Sequence, residues 1–528
     1  MPQRKKRYTT KWVFSGLALV VLLVVAIIIN NNHPISDVNK VQGTIDADNG
    51  DLKINWSRYG TYDIALSGAY TIAKSGTYHL TGSIEDGAII INTSNEDKIR
   101  LILDNVSIKN SSGPAIVCYE ADDLVIELVG ENTLEDGAKY VADYDEDVTG
   151  TIYSKADLTF QGEGTLNLVA NYQDGIASKD DLKFNSGTYN IVAADDGIRG
   201  KDSVYIVDGD FKINAKGDAI KSTNEITAGK GFVLIEKGNF DLVAVNKGIK
   251  ATNSILIYSG DFNIISTDDS IHSNNYVGII NGNFVIDSGD DGIHADKELI
   301  IDDGVIDIKK SYEGLEAQAI TINNGNVSIM SSDDGMNAGG GVDNSTMNRK
   351  GAGAFDADTN CVLVINGGNI YVNASGDGID SNGYLYFNGG TVIVDGPTNN
   401  GNGALDSGAG IVMNGGIVIA VGASGMAETL GSNSTVNNVS IYFSSAQTAD
   451  TKITIKNSSN ETIIKHTPAK AFNHMSVGTS EFKTGGTYTI YIDDVEYQTF
   501  TISSITTTVG NSNTNQNMMT QGGGRRNF

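Results

Sequence analysis

The chain has 528 residues, a formal net charge of −27, 62 glycines and only 5 prolines. This acidity excludes a nucleic-acid-binding surface, which is built from clustered Lys and Arg. Gly, Asn and Asp accept turn geometry and β-branched residues favour strands, so the composition indicates many short strands joined by tight turns. Two isolated cysteines, Cys118 and Cys361, give no disulfide framework or thiolate metal site, and we expect buried thiols that act as small apolar residues.

The N-terminus carries a candidate membrane segment. Basic residues at Arg4–Arg7 and Lys11 precede an unbroken apolar run of 18 residues, Trp12–Ile29. As a helix this run is about 27 Å long, close to the thickness of the bilayer hydrocarbon. Because the basic residues orient the N-terminus inside, we expect a cytoplasmic tail at 1–11, a transmembrane signal anchor at 12–29 and an extracellular remainder. A cleaved signal peptide and a secreted protein are the alternative. Residues 30–66 are expected to form a linker and N-terminal cap.

A tripeptide of the Asp-Gly-Ile type recurs nine times in the central part of the chain. Most steps between copies are 22 residues, with one of 29 and one of 43. We interpret the first exception as a seven-residue excess near 224–231, and the second as about two coils with a surface insertion at 339–353. The copies are Asp174-Gly175-Ile176, Asp196-Gly197-Ile198, Asp218-Ala219-Ile220, Lys247-Gly248-Ile249, Asp269-Ser270-Ile271, Asp291-Gly292-Ile293, Glu313-Gly314-Leu315, Asp334-Gly335-Met336 and Asp377-Gly378-Ile379.

Apolar residues alternate between these corners, and Asp-Gly or Asn-Gly pairs separate the short strands. Stacking such coils buries a continuous core, so the repeat predicts an all-β fold: a right-handed parallel β-helix of about 22-residue coils over 67–431. A β-propeller needs a longer period of four strands per blade, which the step disfavours. The Asp-Gly-Ile corner does not recur at 432–508, where antiparallel strands are expected to form a small β cap. A disordered tail is expected at 509–528.

Equivalent residues of stacked coils form columns with a spacing of about 4.8 Å. The residues before the corner Gly form an acidic column, and carboxylates at this spacing repel each other by about 3 kcal/mol. Ca²⁺ bound by Asp oxygens would relieve the repulsion, although single Asp residues that form Asx turns are the alternative. Lys247 lies in this column and is expected to replace a metal there. The doubled corners that predict calcium are Asp195-Asp196, Asp268-Asp269, Asp290-Asp291 and Asp333-Asp334, the second and third being the best pair.

The residues after the corner Ile form a second column, which we call the basic column. It contains Arg199, Lys221, Lys250, His272 and His294 in consecutive copies of the repeat. One interpretation is compensation of the neighbouring Asp charges. The other is a carbohydrate-binding strip that meets the carboxylates of an acidic polysaccharide, with Ca²⁺ bridging protein and polymer.

Several segments resemble a bacterial carbohydrate-binding β-helix family whose fold is related to that of pectate lyases. The resemblance covers roughly 45–505 and rests on these stretches: Ile152–Leu158, Asp174–Leu182, Gly197–Val204, Gly76–Gly82 and Arg100–Val106. It implies a surface-exposed, calcium-containing protein that binds acidic cell-wall polysaccharide, galacturonans especially, with calcium at the doubled Asp corners. Lys247 and Glu313 depart from the family pattern, which puts metal at their coils in doubt.

These features favour a membrane-anchored extracellular binding protein over an enzyme. The rival is a polysaccharide lyase, in which Ca²⁺ acidifies the proton beside a uronate carboxylate and Arg199, Lys221 or Lys250 removes it. Against the lyase, the basic residues form a column instead of one base in a cleft. A third reading is a structural adhesin or spacer that uses the rod to present its tip.

Overall fold

The computed structural model describes residues 39–43, 45, 54–141, 144–339 and 357–511. The predicted cytoplasmic tail, transmembrane anchor and most of the C-terminal tail lie outside these residues, as does nearly all of the predicted insertion at 339–353. Among the residues that the structure describes, no helix has the length and hydropathy that crossing a membrane requires. The helices there are a short α-helix, Asn39–Gln42, and a 3-10 helix, Trp56–Arg58.

The predicted fold is confirmed: the chain forms a parallel β-helix of about 14 turns with a spacing of ~23 residues. Each full coil contributes strands to three parallel sheets. We call the sheet that begins after the Asp-Gly corner the corner face. Its strands are Tyr70–Ile72, Ile89–Asn92, Ile116–Glu120, Gly150–Ser154, Asp174–Ser178, Ile198–Gly200, Ile220–Ser222, Ile249–Ala251, Ile271–Ser273, the start of Ile293–Ile301, the start of Leu315–Ile322, Met336–Ala338, Ile379–Ser381 and Leu405–Ser407.

The second sheet is the middle face. Its strands are Thr61–Leu66, Gly76–Ile84, Lys98–Lys109, Asp123–Val129, Asp157–Gly162, Asp181–Phe184, Ser203–Ile206, Phe232–Ile235, Ser254–Ile257, Tyr276–Ile279, the ends of Ile293–Ile301 and Leu315–Ile322, Val362–Ile365, Tyr384–Phe387 and Gly410–Met413. Val41 of the N-terminal helix packs on the outside of this sheet, against a cluster that contains Phe232 and Leu256.

The third sheet is the ladder face, named for the stacked aromatic rings on its inner side. Its strands are Glu131–Glu135, Thr165–Ala170, Thr188–Ala193, Asp210–Ala215, Asn239–Ala244, Asp261–Ser266, Asn283–Asp287, Val305–Ser311, Asn326–Ser331, Asn369–Ala374, Thr391–Asp395 and Ile417–Gly422. The rings of Phe211, Phe240, Phe262 and Phe284 stack with centroids 4.5–5.1 Å apart. Each face thus buries one side of its strands in a single core that runs the length of the rod.

The corner itself explains why the middle residue of the tripeptide is Gly, Ala or Ser. A Cβ atom added to Gly292 would lie 2.6 Å from both the Gly314 carbonyl oxygen and Ile308 Cδ1. The backbone of one coil therefore packs directly on the next, and only a small residue fits. Cys118 and Cys361 are both buried, as predicted.

The two irregular steps differ from each other. The seven-residue excess near 224–231 forms a surface loop, with Asn224 Oδ1 accepting backbone N–H bonds from Ile226 and Thr227. The 43-residue step was predicted to span about two coils, and this was wrong. Met336 pairs directly with Ile379, so the step is one coil that carries a long insertion. One further coil, whose corner strand is Leu405–Ser407, pairs with Ile379–Ser381, and its corner is Gly403-Ala404-Leu405, with Gly in the place of the Asp.

Antiparallel strands close the C-terminal end. Phe472–Thr479 pairs antiparallel with the last ladder strand, Ile417–Gly422, and also with Asn438–Gln447. Thr506–Val509 then pairs with the other edge of Asn438–Gln447. A separate four-stranded sheet follows the order Thr462–His466, Ile453–Asn457, Thr487–Ile492 and Val495–Thr501.

Candidate functional site: the charged columns of the corner face

The Asp before the corner Gly links one coil to the next. Asp196 Oδ1 accepts the backbone N–H of Asp218 at 2.9 Å, and Asp218 Oδ1 accepts that of Lys247 at 2.9 Å. Asp269 and Asp291 form the same bond across their coils, at 3.0 Å. These side chains are nearly fully buried. The side chains of the acidic column therefore hydrogen-bond each coil to the next. Neither the Asx-turn interpretation nor the calcium interpretation predicted this role.

The predicted metal ligands fall into several groups. The ligand oxygens of Asp268, Asp269 and Asp290 lie within 4.8 Å of one another, as predicted for adjacent doubled corners. Asp195 and Asp196 form a similar group with Asp174.

Asp291 instead groups with His294 and Glu316. Asp333 and Asp334 both lie beside Gly376 of the following coil, where an added Cβ would meet a carboxylate oxygen of each. A further group, formed by Asp269, His272 and His294, connects the group at Asp268 to the group at Asp291.

Most of the basic column is ion-paired to the acidic column. Arg199 Nη2 lies 2.6 Å from Asp174 Oδ2, and Lys221 Nζ lies 3.2 Å from Asp196 and 2.8 Å from Asp218. The compensation interpretation therefore describes these residues. Lys250 is half-buried, and no ion pair joins it to a carboxylate of the described chain.

His272 and His294 stack on each other inside the corner, with ring centroids 4.7 Å apart. His272 is 4% exposed and His294 0%, so little of either side chain lies at the surface where a polysaccharide was predicted to bind. His272 Nδ1 lies 2.7 Å from Asp269, and His294 Nδ1 lies 2.8 Å from Glu316. Both imidazole rings thus lie in contact with buried or half-buried carboxylates.

The electrostatics of its ion pairs disfavour Lys221 as a catalytic base. Burial alone would lower the pKa of Lys221, but the carboxylates of Asp196 and Asp218 outweigh burial and raise this pKa. Lys221 therefore keeps its proton. Burial raises the pKa of Asp196 to about 6, even though Lys221 opposes the shift. Lys221 and Asp196 thus form an ion pair in which the lysine keeps its proton.

The far end of the corner face has the opposite character. Asp380 and Asp406 occupy the register of the basic column, and they lie next to Asp334 and Asp377 of the acidic column. Glu428 interacts with Asp406 and Asp377 from the segment after the last corner. We call Asp333, Asp334, Asp377, Asp380, Asp406 and Glu428 the distal acidic cluster.

No Lys, Arg or His of the described residues forms an ion pair with the distal acidic cluster. Burial, followed by the charge of Asp377, raises the pKa of Asp334 to about 7. Burial, followed by the charges of Asp406 and Asp377, raises the pKa of Asp380 to about 8. Within the described residues, the cluster is therefore a set of carboxyl groups without a basic partner. Asp380 follows the Ile of the last Asp-Gly-Ile corner and could be found from the sequence, whereas Asp406 and Glu428 were missed because their coil has no such corner.

Comparisons with known proteins place these features in context. A family model described as carbohydrate-binding domain-containing protein matches residues 67–335 and 244–360, together more than half of the chain. A curated protein of the same description from Acetivibrio thermocellus is 32% identical over 120 residues, which are 22% of this chain and 42% of that protein. The chain thus spans less than half the length of the relative that it matches.

A solved structure is also similar in part. It is described as the polysaccharide lyase-like protein from C. thermocellum, in a gadolinium derivative. The match has 28% sequence identity and a TM-score of 0.38, and it covers 45% of this chain and 94% of the other.

Proposed function

We propose that this chain, which belongs to the carbohydrate-binding domain-containing protein family, binds acidic polysaccharide outside the cell through calcium held by the distal acidic cluster. The observation that carries the proposal is the contrast along the corner face. Asp174, Asp196 and Asp269 have Arg, Lys or His partners, whereas Asp334 and Asp380 have none among the described residues.

The chemistry of the cluster suits a hard divalent cation. Asp and Glu oxygens are the ligands that Ca²⁺ prefers, and it accepts irregular shells of six to eight oxygens. Calcium held by protein carboxylates at a half-buried site keeps coordination positions for a uronate carboxylate. An acidic polymer is otherwise repelled by a chain of net charge −27. We therefore place calcium at Asp333 and Asp334 first among the eight predicted ligands.

The other predicted ligands are weaker candidates for the ion. Lys247 Nζ lies 3.0 Å from Asp268 and 2.5 Å from Asp269, so an ammonium group already lies among these oxygens. Lys221 has the same relation to Asp196. We also infer that the segment 12–29 anchors the chain in the membrane, with the β-helix outside the cell. The support for this is the sequence pattern of that segment alone.

The test is retention on immobilised polygalacturonate. We expect the full chain in detergent to be retained with Ca²⁺ and released by chelator. The double variant Asp334→Asn, Asp377→Asn is expected to lose retention, because it removes two charges and keeps the side-chain oxygens that link the coils. The matched control is Asp303→Asn, an exposed turn residue whose Oδ1 accepts the N–H of Gly304.

Two further measurements separate the alternatives. Absorbance of unsaturated products during incubation would identify a lyase and overturn the binding-only reading. A second double variant, Asp268→Asn, Asp290→Asn, tests the corners beside Lys247. If this variant loses retention and the Asp334, Asp377 variant keeps it, calcium binds at the predicted adjacent corners and the distal assignment is wrong.

A further inference from the structure

A group of nitrogen and oxygen ligands lies between two neighbouring coils of the corner face. The ligand atoms of Asp291, His294 and Glu316 lie within 4.8 Å of one another. His294 Nδ1 lies 3.1 Å from Asp291 Oδ2 and 2.8 Å from Glu316 Oε2. His294 is 0% exposed, whereas the Glu316 side chain is 15% exposed and gives the group access to solvent. We call these three residues the mixed-ligand group.

The second nitrogen of the His294 ring also faces a carboxylate. Nε2 lies 3.3 Å from Asp296 Oδ1. A neutral imidazole has one N–H, and donation from Nε2 to Asp296 leaves on Nδ1 the lone pair that a metal ion binds. Histidine ligands of metals usually donate their other N–H to a carboxylate or a carbonyl in this way. The ring is therefore oriented as a metal ligand, with Nδ1 towards Asp291 and Glu316.

The charges around His294 do not balance within the group. Asp291, Asp296 and Glu316 carry three negative charges when ionised, and a protonated imidazole adds only one positive charge, so the sum is −2 (−3 plus 1). Among the described residues, no Lys or Arg forms an ion pair with these three carboxylates. A divalent cation would supply the missing charge.

Glu313 offers a further oxygen at the same place. Its backbone N–H donates to Asp291 Oδ1 at 3.2 Å, so the two oxygens of Asp291 have different partners. The Oε2 atom of Glu313 is buried and has no hydrogen-bond partner among the described residues. The charges of Glu316 and Asp291 both act on this carboxyl group. A buried oxygen without a partner is costly unless a donor or a cation meets it.

The combination of imidazole and carboxylate selects the class of metal ion. Imidazole suits Zn²⁺ and other divalent transition metals, whereas Ca²⁺ prefers oxygen ligands. Bonds of about 2.0–2.2 Å in a tetrahedral zinc site place the ligand atoms about 3.3 Å apart. The distances from His294 Nδ1 to the two carboxylate oxygens, 3.1 and 2.8 Å, lie within about half an ångström of this spacing. Small side-chain rotations therefore suffice to admit the ion.

The neighbouring group of Asp269, His272 and His294 is a weaker candidate. Lys247 Nζ lies 2.5 Å from Asp269 Oδ2 and already supplies a positive charge there. His294 belongs to both groups, and in the mixed-ligand group the carboxylates contact no ammonium group of the described chain.

We propose that the mixed-ligand group binds Zn²⁺ or a similar divalent transition-metal ion. The ion takes His294 Nδ1, Asp291 Oδ2 and Glu316 Oε2 as ligands. Glu313 Oε2 occupies the fourth position. Four protein ligands are typical of structural zinc sites, which stabilise the fold. The ion thus joins two successive coils, and its site is separate from the calcium site of the proposed function.

The experiment uses Co²⁺ as a spectroscopic substitute for Zn²⁺. The full chain in detergent is purified without a polyhistidine tag and freed of metal by chelator. Tetrahedral Co²⁺ absorbs visible light far more strongly than Co²⁺ surrounded by six oxygens. We expect one Co²⁺ per chain to give the strong band, Zn²⁺ to abolish it and millimolar Ca²⁺ to leave it unchanged. Zn²⁺ is also expected to raise the thermal midpoint of the native chain.

Variants of the ligands identify the site. We expect His294→Gln and Glu316→Gln each to weaken Co²⁺ binding by about a hundredfold or more, since the loss of a residue that only orients a ligand already costs about 10–100-fold. Asp296→Asn is expected to weaken binding about tenfold, because it orients the ring. Glu316→Gln, whose side chain reaches the surface, keeps the test available if His294→Gln does not fold.

His79 provides the matched control. It also lies between two carboxylates, 3.1 Å from Asp63 and 3.0 Å from Asp104, and its side chain is 34% exposed. These carboxylates contact opposite nitrogens of the ring, so they cannot converge on one ion. His79→Gln is therefore expected to keep both the Co²⁺ band and the thermal shift with Zn²⁺.

Three outcomes would overturn the proposal. The first is a native chain that gives no strong Co²⁺ band. The second is a band that Ca²⁺ abolishes, because the site then prefers hard cations. The third is a band that persists in both His294→Gln and Glu316→Gln. The double variant Asp334→Asn, Asp377→Asn is expected to keep the band while it loses retention on polygalacturonate, so failure here and failure of the proposed calcium site are distinguishable.

Discussion

Lys247 bonds to the coil before its own through its backbone and to the coil after its own through its side chain. Its backbone N–H donates to Asp218 Oδ1 at 2.9 Å, which continues the row of bonds between coils. Its ammonium group, 7% exposed, lies between Asp268 and Asp269 of the following coil. Burial would raise the pKa of Asp269, but His272 and Lys247 outweigh it and hold this pKa far below its usual range. Asp269 is therefore a buried charge that depends on its neighbours.

Replacing Lys247 tests that dependence. In Lys247→Met the packing volume is kept, but the buried Asp269 carboxylate loses its ammonium partner and keeps only the imidazole of His272. Removing one member of a buried ion pair costs about 3–5 kcal/mol because the remaining charge stays desolvated. We expect a loss of this size in the free energy of unfolding, measured by urea denaturation at pH 7.

A surface lysine provides the control. Lys237 lies 2.7 Å from Asp208, but its side chain is 61% exposed. Lys237→Met is expected to leave the urea midpoint unchanged, because water screens an exposed pair. Equal midpoints for Lys247→Met and the native protein would show that His272 alone satisfies Asp269.

At the residue scale, the sequence predicted that Lys247 would replace a metal, and the structure shows its ammonium group there. It did not predict that His272 and His294 are buried. Ile293 and Ala295 lie in the core, so alternation places His294 on the outer side of its strand, beside the carboxylates of Asp291 and Glu316. Its burial comes from side chains of neighbouring coils, which the residue pattern of a single strand does not contain.

At the element scale, the repeat predicted the coils well wherever the Asp-Gly-Ile spacing was 22 residues. The 43-residue step was wrongly predicted to span two coils, because a long insertion lengthens the spacing between corners as much as an extra coil does. The prediction of the cap was also incomplete, because it contained no strand at Phe472–Thr479. The strands expected within 432–508 were Val439–Phe443, Lys452–Lys456, Thr462–Lys465, Thr487–Tyr491 and Gln498–Ser503. In Phe472–Thr479 the polar residues His474 and Ser476 are buried as well as the apolar ones, and this strand seals the last coil.

His474 makes the sealing strand sensitive to pH. It is 2% exposed, and its Nε2 lies 2.8 Å from Ser440 Oγ. Burial lowers the pKa of His474 to about 4. The unfolded chain has an ordinary imidazole, so between pH 6.5 and 4 it binds more protons than the folded chain, and stability falls as pH falls.

We expect the neutral, buried His474 to make the native protein about 3 kcal/mol less stable at pH 4 than at pH 7, relative to His474→Gln. The measurement is the urea midpoint across this range for both proteins. His79→Gln is the control of opposite sign, since hydrogen bonds to Asp104 and Asp63 raise the pKa of His79. Parallel pH profiles for native and His474→Gln would contradict the assignment.

At the scale of the whole molecule, the corner face changes its charge balance along the rod. From Arg199 to His294 the acidic column has partners in the next column. From Asp334 onward the same register holds Asp380 and Asp406. One regular fold thus carries a neutralised half and an acidic half, and the difference depends on a single position of the repeat.

The acidic half makes stability depend on pH and calcium together. The folded pKa values of Asp377, Asp334 and Asp380 are raised to about 6, 7 and 8. Ordinary Asp has a pKa near 3.9 in the unfolded chain, so between pH 4 and 8 the folded state binds more protons. The free energy of unfolding in chelator must therefore fall as pH rises through this window.

Calcium takes the place of those protons and stabilises only the folded state. We expect Asp380 alone to account for a loss of about 3–4 kcal/mol between pH 5 and 8 in chelator, and millimolar Ca²⁺ to remove most of it. Asp380→Asn should flatten the profile in chelator and reduce the stabilisation by calcium, whereas Asp303→Asn should change neither. Thermal or urea midpoints at four pH values, with and without Ca²⁺, measure both effects. A chelator profile with the same slope in Asp380→Asn and native protein would mean that this carboxyl group is solvated, and the basis for a calcium site there would be lost.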